Sequence, residues 1–132
     1  PEESRRVAQN NGFEVRIEGA KTGYYNYADI DDDFISIHHW LKWYKFGFTR
    51  LFDNLSLEIR NGRMDRCSAI EILRNIGADK PEADIDEFCN YTGISLVEFD
   101  AVCERFRNRN IWHRDGKIWK ISNFIFCDWD WL

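Results

Sequence analysis

A chain of 132 residues can bury one real core and is short for more than one domain. Its formal charge of −5 is spread evenly, with eight Lys/Arg and ten Asp/Glu in residues 1–62 and ten and thirteen in residues 63–132. That balance argues against a polyanion-binding module, whose affinity would rest on phosphate neutralisation, and no stretch approaches the ~18–20 apolar residues of a membrane span.

The six Trp and ten Phe need a packed interior or a partner surface. The chain starts at Pro1 without Met, and its charged first residues run into Val7–Gly12 like the end of a helix. Both features read as a sequence cut from something longer. Phe13, Val15 and Ile17 alternate with Glu14, Arg16 and Glu18, the period of a half-buried strand. A loop with three Tyr follows from Gly19 to Ala28. The four acids in Asp29–Asp33 then suit the positive end of a helix.

From Phe34 the apolar positions Ile37, Leu41, Tyr44, Phe48, Phe52, Leu55 and Ile59 recur in steps of three and four. This predicts either one long helix or two helices meeting near Lys45–Thr49, because Gly47 sits in the middle. Asn61–Gly62 is a stop signal. Three shorter helices are predicted next. Asp65 caps Arg66–Ile76, which Gly77 ends; Pro81 suits a first helical position, and Gly93 closes Glu82–Thr92. Ser95 and Glu98 form a capping box with Ile94 and Phe99 as its hydrophobic staple, and the last helix is expected to bury Phe99, Val102, Cys103 and Phe106. Ile111–Ile121 reads as a β-hairpin around Asp115–Gly116, with Trp112 opposite Trp119. The aromatic tail from Phe124 must dock on this domain or on another part of the protein.

The fold class expected is therefore mainly α: a bundle of about five helices with a short N-terminal strand and a C-terminal hairpin. Its organisation is a junction strand and loop (1–28), a long helical segment (29–62), three short helices (63–110), and hairpin plus tail (111–132). Cys67, Cys89, Cys103 and Cys127 form no Cys-x-x-Cys pair and read as buried free thiols of a reducing, cytoplasmic compartment.

Two segments could carry binding chemistry. In Lys45-Phe46-Gly47-Phe48-Thr49-Arg50, two cations flank a glycine that allows close backbone approach, an arrangement able to hold a phosphate. The alternative is a snorkelling pair on a solvated face. In Lys21-Thr22-Gly23-Tyr24-Tyr25-Asn26-Tyr27, aromatic faces can stack on sugar or base rings, while Thr22 and Asn26 read hydroxyls. The alternative is a loop packed on the core. His38 and His39 point about 100° apart on a helix, so they do not chelate one metal, and nothing selects either of them or His113 for catalysis. Residues 85–107 have the rhythm of a helix-turn-helix, but Glu98, Asp100 and Glu104 on the would-be recognition helix oppose DNA. The eight glycines never lie within two residues of each other, so there is no Gly-rich phosphate cradle.

From Gly12-Phe13-Glu14-Val15-Arg16 onward the sequence resembles the C-terminal part of the N-acetyl sugar amidotransferases, the WbpG-type lipopolysaccharide biosynthesis proteins. The likeness is carried by Gly23-Tyr24-Tyr25-Asn26-Tyr27, Asp31-Asp32, Lys45-Phe46-Gly47-Phe48-Thr49-Arg50 and Ile59-Arg60-Asn61-Gly62-Arg63. It continues through Arg66, Ala69-Ile70-Glu71, Phe88–Ser95 with Glu98-Phe99, and Arg107-Asn108, covering about residues 12–112.

The resemblance implies a cytoplasmic enzyme of the ATP-pyrophosphatase group in O-antigen biosynthesis. ATP with Mg would activate the acetamido group of a nucleotide-linked sugar as an adenylate. Ammonia from a glutaminase partner would then displace AMP and leave an acetamidino group. The adenylating Ser-Gly-Gly-x-Asp-Ser loop would lie in an N-terminal nucleotide-binding domain upstream of Pro1, so ATP and Mg would be bound mainly there. With that implication, Lys45, Gly47 and Arg50 are candidates for the phosphates, and Thr22, Tyr24 and Asn26 for substrate contacts. The catalytic acid or base stays unassigned. A non-catalytic interaction module is the alternative of a different class.

Overall fold

The computed structural model describes residues 2–76, 80–129 and 131. Six helices precede one two-stranded antiparallel sheet among them, so the fold is mainly α. No helix of the described residues is long and apolar enough to cross a membrane.

Helix α1 (Glu2–Asn10) is polar and buries no residue. The segment after it corrects one expectation, because Phe13–Glu18 is not a strand. A strand needs a ladder of partners. Here Arg16 N–H donates to Asn26 O (3.0 Å) and Asn26 Nδ2 donates to Arg16 O (3.1 Å). That single bridge holds a bracket between Gly12 and Gly19, both at positive φ, and leaves Ile17 96% exposed.

The long apolar run resolves into two helices, α2 (Ile35–Phe46) and α3 (Arg50–Arg60). Gly47 adopts φ +73° and its N–H returns to Trp43 O, the left-handed C-cap that glycine favours. Asp32 Oδ1 accepts the Phe34 N–H (2.9 Å) just ahead of α2. Lys42 pairs with Asp53 across the turn.

Helix α4 (Arg66–Ile76) starts where Asp65 takes both the N–H and the hydroxyl of Ser68 (3.0 and 2.7 Å). The Gly77 stop predicted for it lies outside the described residues. Helix α5 (Glu82–Thr92) has Pro81 at the cap itself, one residue ahead of the predicted position, and ends on Gly93. Helix α6 (Leu96–Phe106) carries the Ser95–Glu98 capping box. It buries Phe99 and Cys103, but Val102 and Phe106 are 41% and 44% exposed. Residues four apart share the stripe that faces α2 and α5; Val102 and Phe106 flank it.

Strands β1 (Trp112–Asp115) and β2 (Ile118–Ile121) form the hairpin, with Trp112 facing Ile121 and Arg114 facing Trp119. The two-residue loop is Gly116-Lys117, one residue later than expected, because Gly116 takes the positive φ at the first central position. Trp112 and Trp119 still share a face, but on a diagonal. The hairpin is tied to the end of α2: Tyr44 O accepts from Asn108 N–H and from Trp112 Nε1–H, both at 3.0 Å. Helix-terminal carbonyls lack intrahelical partners, and these two donors supply them.

Two apolar clusters result. One joins Ile37 and Trp40 of α2 to Ile85 and Cys89 of α5 and Phe99 and Cys103 of α6. The other joins Leu51 and Leu55 of α3 to Ala69 and Leu73 of α4, and it is closed by Phe126, with Phe124 and Trp129 beside it. The aromatic tail therefore docks on this chain's own helices. Cys89 and Cys103 are buried, whereas Cys67 and Cys127 are exposed free thiols, contrary to the expectation of four buried ones. Cys67 sits on the outer face of α4, away from Ala69 and Leu73.

Candidate functional site

A cavity of about 600 Å³ opens between the 20–24 loop, α2, the start of α3, the end of α4 and the Lys80–Pro81 lead into α5. Trp40, Leu51, Ile72 and Ile76 form its apolar wall. Thr22, Ser36, His39 and Thr49 supply its neutral polar groups. Ser36, His39 and Trp40 reach it together because positions i, i+3 and i+4 share one helix face.

The loop on its rim is held from three sides. Tyr24 N–H donates to Asn54 Oδ1 (3.0 Å). The Tyr25 hydroxyl donates to Glu58, a buried carboxylate that Arg63 grips through two nitrogens (2.7 and 2.6 Å). Lys21 donates to Asp33 O and lies 3.5 Å from Asp84, which also accepts the Ser36 hydroxyl. These ties make the rim part of the helical scaffold.

Among the described residues, five buried side-chain atoms lack a hydrogen-bond partner: Arg16 Nε, the Tyr27 hydroxyl, Asp29 Oδ2, His39 Nδ1 and Thr49 Oγ1; the last two belong to residues that line the cavity. His39 is 7% exposed, and its Nδ1 is buried with no hydrogen bond among the described residues. Thr49 Oγ1 is in the same state. Thr49 occupies the N-cap of α3, where a threonine normally accepts from the first turn, yet its side chain makes no cap bond. Burial lowers the His39 pKa; Asp29 opposes that shift and Arg50 adds to it. Burial thus favours the neutral imidazole, in which one ring nitrogen donates and the other accepts a hydrogen bond.

The structure brings together part of the set expected from sequence. Thr22 and Tyr24 line the cavity. Arg50 runs beside its rim, since a Cβ placed on Gly23 would lie 3.0 Å from Arg50 Cγ. Arg50 has no acid partner among the described residues. Asn26 is occupied in holding Arg16 O. Lys45 points elsewhere, with its Nζ 4.7 Å from the Phe106 ring centre. The space over Gly47 is filled by Ile121 and Ile111, whose carbons would lie 2.6 and 3.3 Å from an added Cβ. Lys45 and Gly47 therefore stand on the hairpin side, apart from Arg50 and the 20–24 loop. Sequence reasoning missed Ser36 and Trp40, named Lys21 and Thr49 only as members of the two candidate segments, and left His39 without a role. The i, i+3, i+4 spacing of Ser36, His39 and Trp40 was the available signal.

Comparison with known proteins places the cavity in a family context. The sequence profile of a family described as LPS biosynthesis protein WbpG-like, C-terminal domain, matches residues 18–125. All the cavity-lining residues fall inside that span. No curated protein matches the chain.

Proposed function

The chain belongs to the WbpG-like C-terminal domain family of LPS biosynthesis proteins, and from that premise we propose that it forms the substrate side of an ATP-dependent amidotransferase. The substrate is a nucleotide-linked sugar, and the reaction replaces the oxygen of its acetamido group by nitrogen to leave an acetamidino group. Ammonia comes from a glutaminase partner. The observation that carries this reading is the cavity itself: a pre-formed recess lined by Thr22 and Tyr24, with Ser36, His39 and Thr49 beside an apolar wall. Small molecules bind in concave, mostly apolar recesses that carry a few polar groups, and this recess has that make-up.

This chain's residues do not fit the role of ATP and Mg holder. The sequence has no clustered glycines to cradle a triphosphate. Among the described residues no group of three His, Cys, Asp or Glu is placed to hold a cation. We assign ATP and Mg to an N-terminal nucleotide-binding domain of the same protein, and no step on this chain is routed through them. What its own residues do is bind and orient. Thr22 and Tyr24 contact the substrate at the rim, and Arg50, beside them, faces its phosphates as a planar, permanently charged donor. Lys45, with its Nζ over the Phe106 ring, is given no contact with the substrate in this reading.

The test uses the full-length enzyme with nucleotide sugar, ATP and ammonia, and follows the acetamido-to-acetamidino conversion by mass spectrometry. Arg50→Ala is expected to lower turnover while leaving thermal unfolding near that of wild type. A full-length wild-type enzyme that never replaces the acetamido oxygen removes the reaction. Normal turnover in Arg50→Ala removes the phosphate assignment alone.

A further inference from the structure

We infer that Arg109 and Arg114, held on the ring of Trp119, form a binding site for a phosphoryl group. The site shares no residue with the cavity, and it does not depend on the reaction proposed above.

Charge is the first observation. Residues 104–121 carry six Lys/Arg against two Asp/Glu, whereas the rest of the chain carries twelve against twenty-one. The end of α6 and the hairpin are thus a basic island on an otherwise acidic protein. Both acids of the island are already used, Glu104 by Arg107 and Asp115 by Lys120 at 2.7 Å. Arg109 and Arg114 are exposed, and neither has an acid partner among the described residues.

Geometry is the second. The guanidinium carbons of Arg109, Arg107 and Arg114 lie 4.3, 5.1 and 5.1 Å from the centre of the Trp119 ring. Arg114 is there because it stands directly opposite Trp119 across the hairpin, on the same face. Arg109 reaches the ring from the connection between α6 and β1. Arg107 is buried and committed to Glu104, so it anchors the group without facing solvent. The Arg107 hydrogen bond holds the Glu104 carboxyl below its ordinary range, and Arg109 and Arg114 add to that through space. Three guanidiniums therefore gather about one carboxylate, and the surplus positive charge faces water.

Long cationic side chains on a solvated face are usually free to wander. Stacking on one indole orders these two, so part of the cost of fixing them is met before a ligand arrives. Each guanidinium is a planar fork that matches two phosphate oxygens. A phosphoryl group carries about −1.5 to −2 at neutral pH, enough to offset the repulsion between both cations. A soluble phosphate compound and a lipid headgroup present the same oxygens, and the experiment separates them.

The full chain is titrated with inorganic pyrophosphate at an ionic strength fixed with sodium chloride, and the Trp119 indole N–H is followed by proton–nitrogen correlation spectra. The expected result is a saturable shift with a Kd of about 1 mM or tighter. Arg109→Gln and Arg114→Gln should each weaken binding about tenfold, through lost charge-assisted hydrogen bonds. Arg109→Lys, which keeps the charge and loses the fork, should weaken it too. Arg66→Gln makes the same charge change on α4 and should leave affinity unaltered. Co-sedimentation with phosphatidylglycerol vesicles that is lost in both Gln variants assigns the phosphoryl group to a lipid headgroup. Pyrophosphate binding without vesicle binding assigns it to a soluble compound. The inference is overturned if neither pyrophosphate nor the vesicles bind, if sodium chloride alone gives the same shift, or if succinate, a dicarboxylate, binds as tightly as pyrophosphate. Unaltered affinity in both Gln variants, or an equal loss in Arg66→Gln, overturns it as well.

Discussion

Gly23 lies so close to Asn54 that an added Cβ would stand 2.4 Å from Asn54 Oδ1, the same oxygen that accepts the Tyr24 N–H at 3.0 Å. The cavity rim and α3 are therefore one piece at this point, and Gly23 is what lets them meet. Its φ of +76° adds a second reason, since the left-handed region costs a non-glycine residue about 1–2 kcal/mol.

Gly23→Ala combines that backbone cost with overpacking against a buried side chain, so a loss of about 2–4 kcal/mol in urea unfolding is expected. Gly116→Ala is the control. Its φ is +62°, but nothing lies within 4 Å of an added Cβ, so only the backbone term of about 1–2 kcal/mol applies. Equal losses in the two variants would show that the contact with Asn54 is not close.

Acid stability turns on Glu58. Its hydrogen bonds with Arg63, and secondarily with Tyr25, outweigh burial and bring its pKa from 4.5 down to about 2. A carboxylate with a depressed folded pKa stabilises the fold above its unfolded value, and that contribution is lost as pH falls through the folded one. Wild type should therefore weaken progressively between pH 4.5 and about 2. Glu58→Gln should be less stable at neutral pH and flatter across that window. Parallel acid limbs, read by circular dichroism against urea, would remove Glu58 as the cause. Tyr25 behaves with the opposite sign: burial, then the bond to Glu58, raises it from 10.0 to about 12, so its contribution is present below pH 10 and fades above it.

Local rules read well where local chemistry decides. Ser95 and Glu98 cap α6 because their side chains and backbone satisfy one another without help from the rest of the fold. Gly47 breaks the long apolar run because its left-handed cap is a property of one residue. Phe13–Glu18 shows the limit. Its alternation is strand-like, but a strand exists only if another segment pairs with it, and Asn26 offers a single bridge. The hairpin was legible as a hairpin; its register shifted by the choice of which two residues turn. The cavity was half legible. Thr22, Tyr24 and Arg50 stood out by type, whereas Thr49 and Ser36 are ordinary residues whose place on the cavity wall comes from the packing of α2 and α3.

Arg107 illustrates a side chain whose packing no sequence rule singles out. It is 8% exposed, and its Cζ sits 4.2, 4.9 and 5.1 Å from the ring centres of Tyr44, Trp112 and Trp119. Its Nε also donates to Glu104 Oε2 at 3.0 Å. Lysine keeps the charge but loses the planar fork and the stacking surface. Arg107→Lys is expected to cost about 1–2 kcal/mol and to shift the indole resonances of Trp112 and Trp119. A variant as stable as wild type, with those resonances unmoved, would mean that charge alone suffices.

The aromatic tail provides the last prediction. Phe126 is 4% exposed and closes the cluster of Leu51, Leu55, Ala69 and Leu73, while its neighbour Ile125 is 47% exposed. Truncating a buried Phe removes its transfer energy and leaves a cavity, so Phe126→Ala is expected to cost about 3–5 kcal/mol. Ile125→Ala, one residue away, faces solvent and is expected to stay within about 0.5 kcal/mol of wild type. The pair separates two roles for the tail. If it closes this chain's own core, the two variants differ by several kcal/mol (about 3 or more) in denaturant unfolding. If it is instead held out for a partner, both variants unfold like wild type, and the loss appears only in binding.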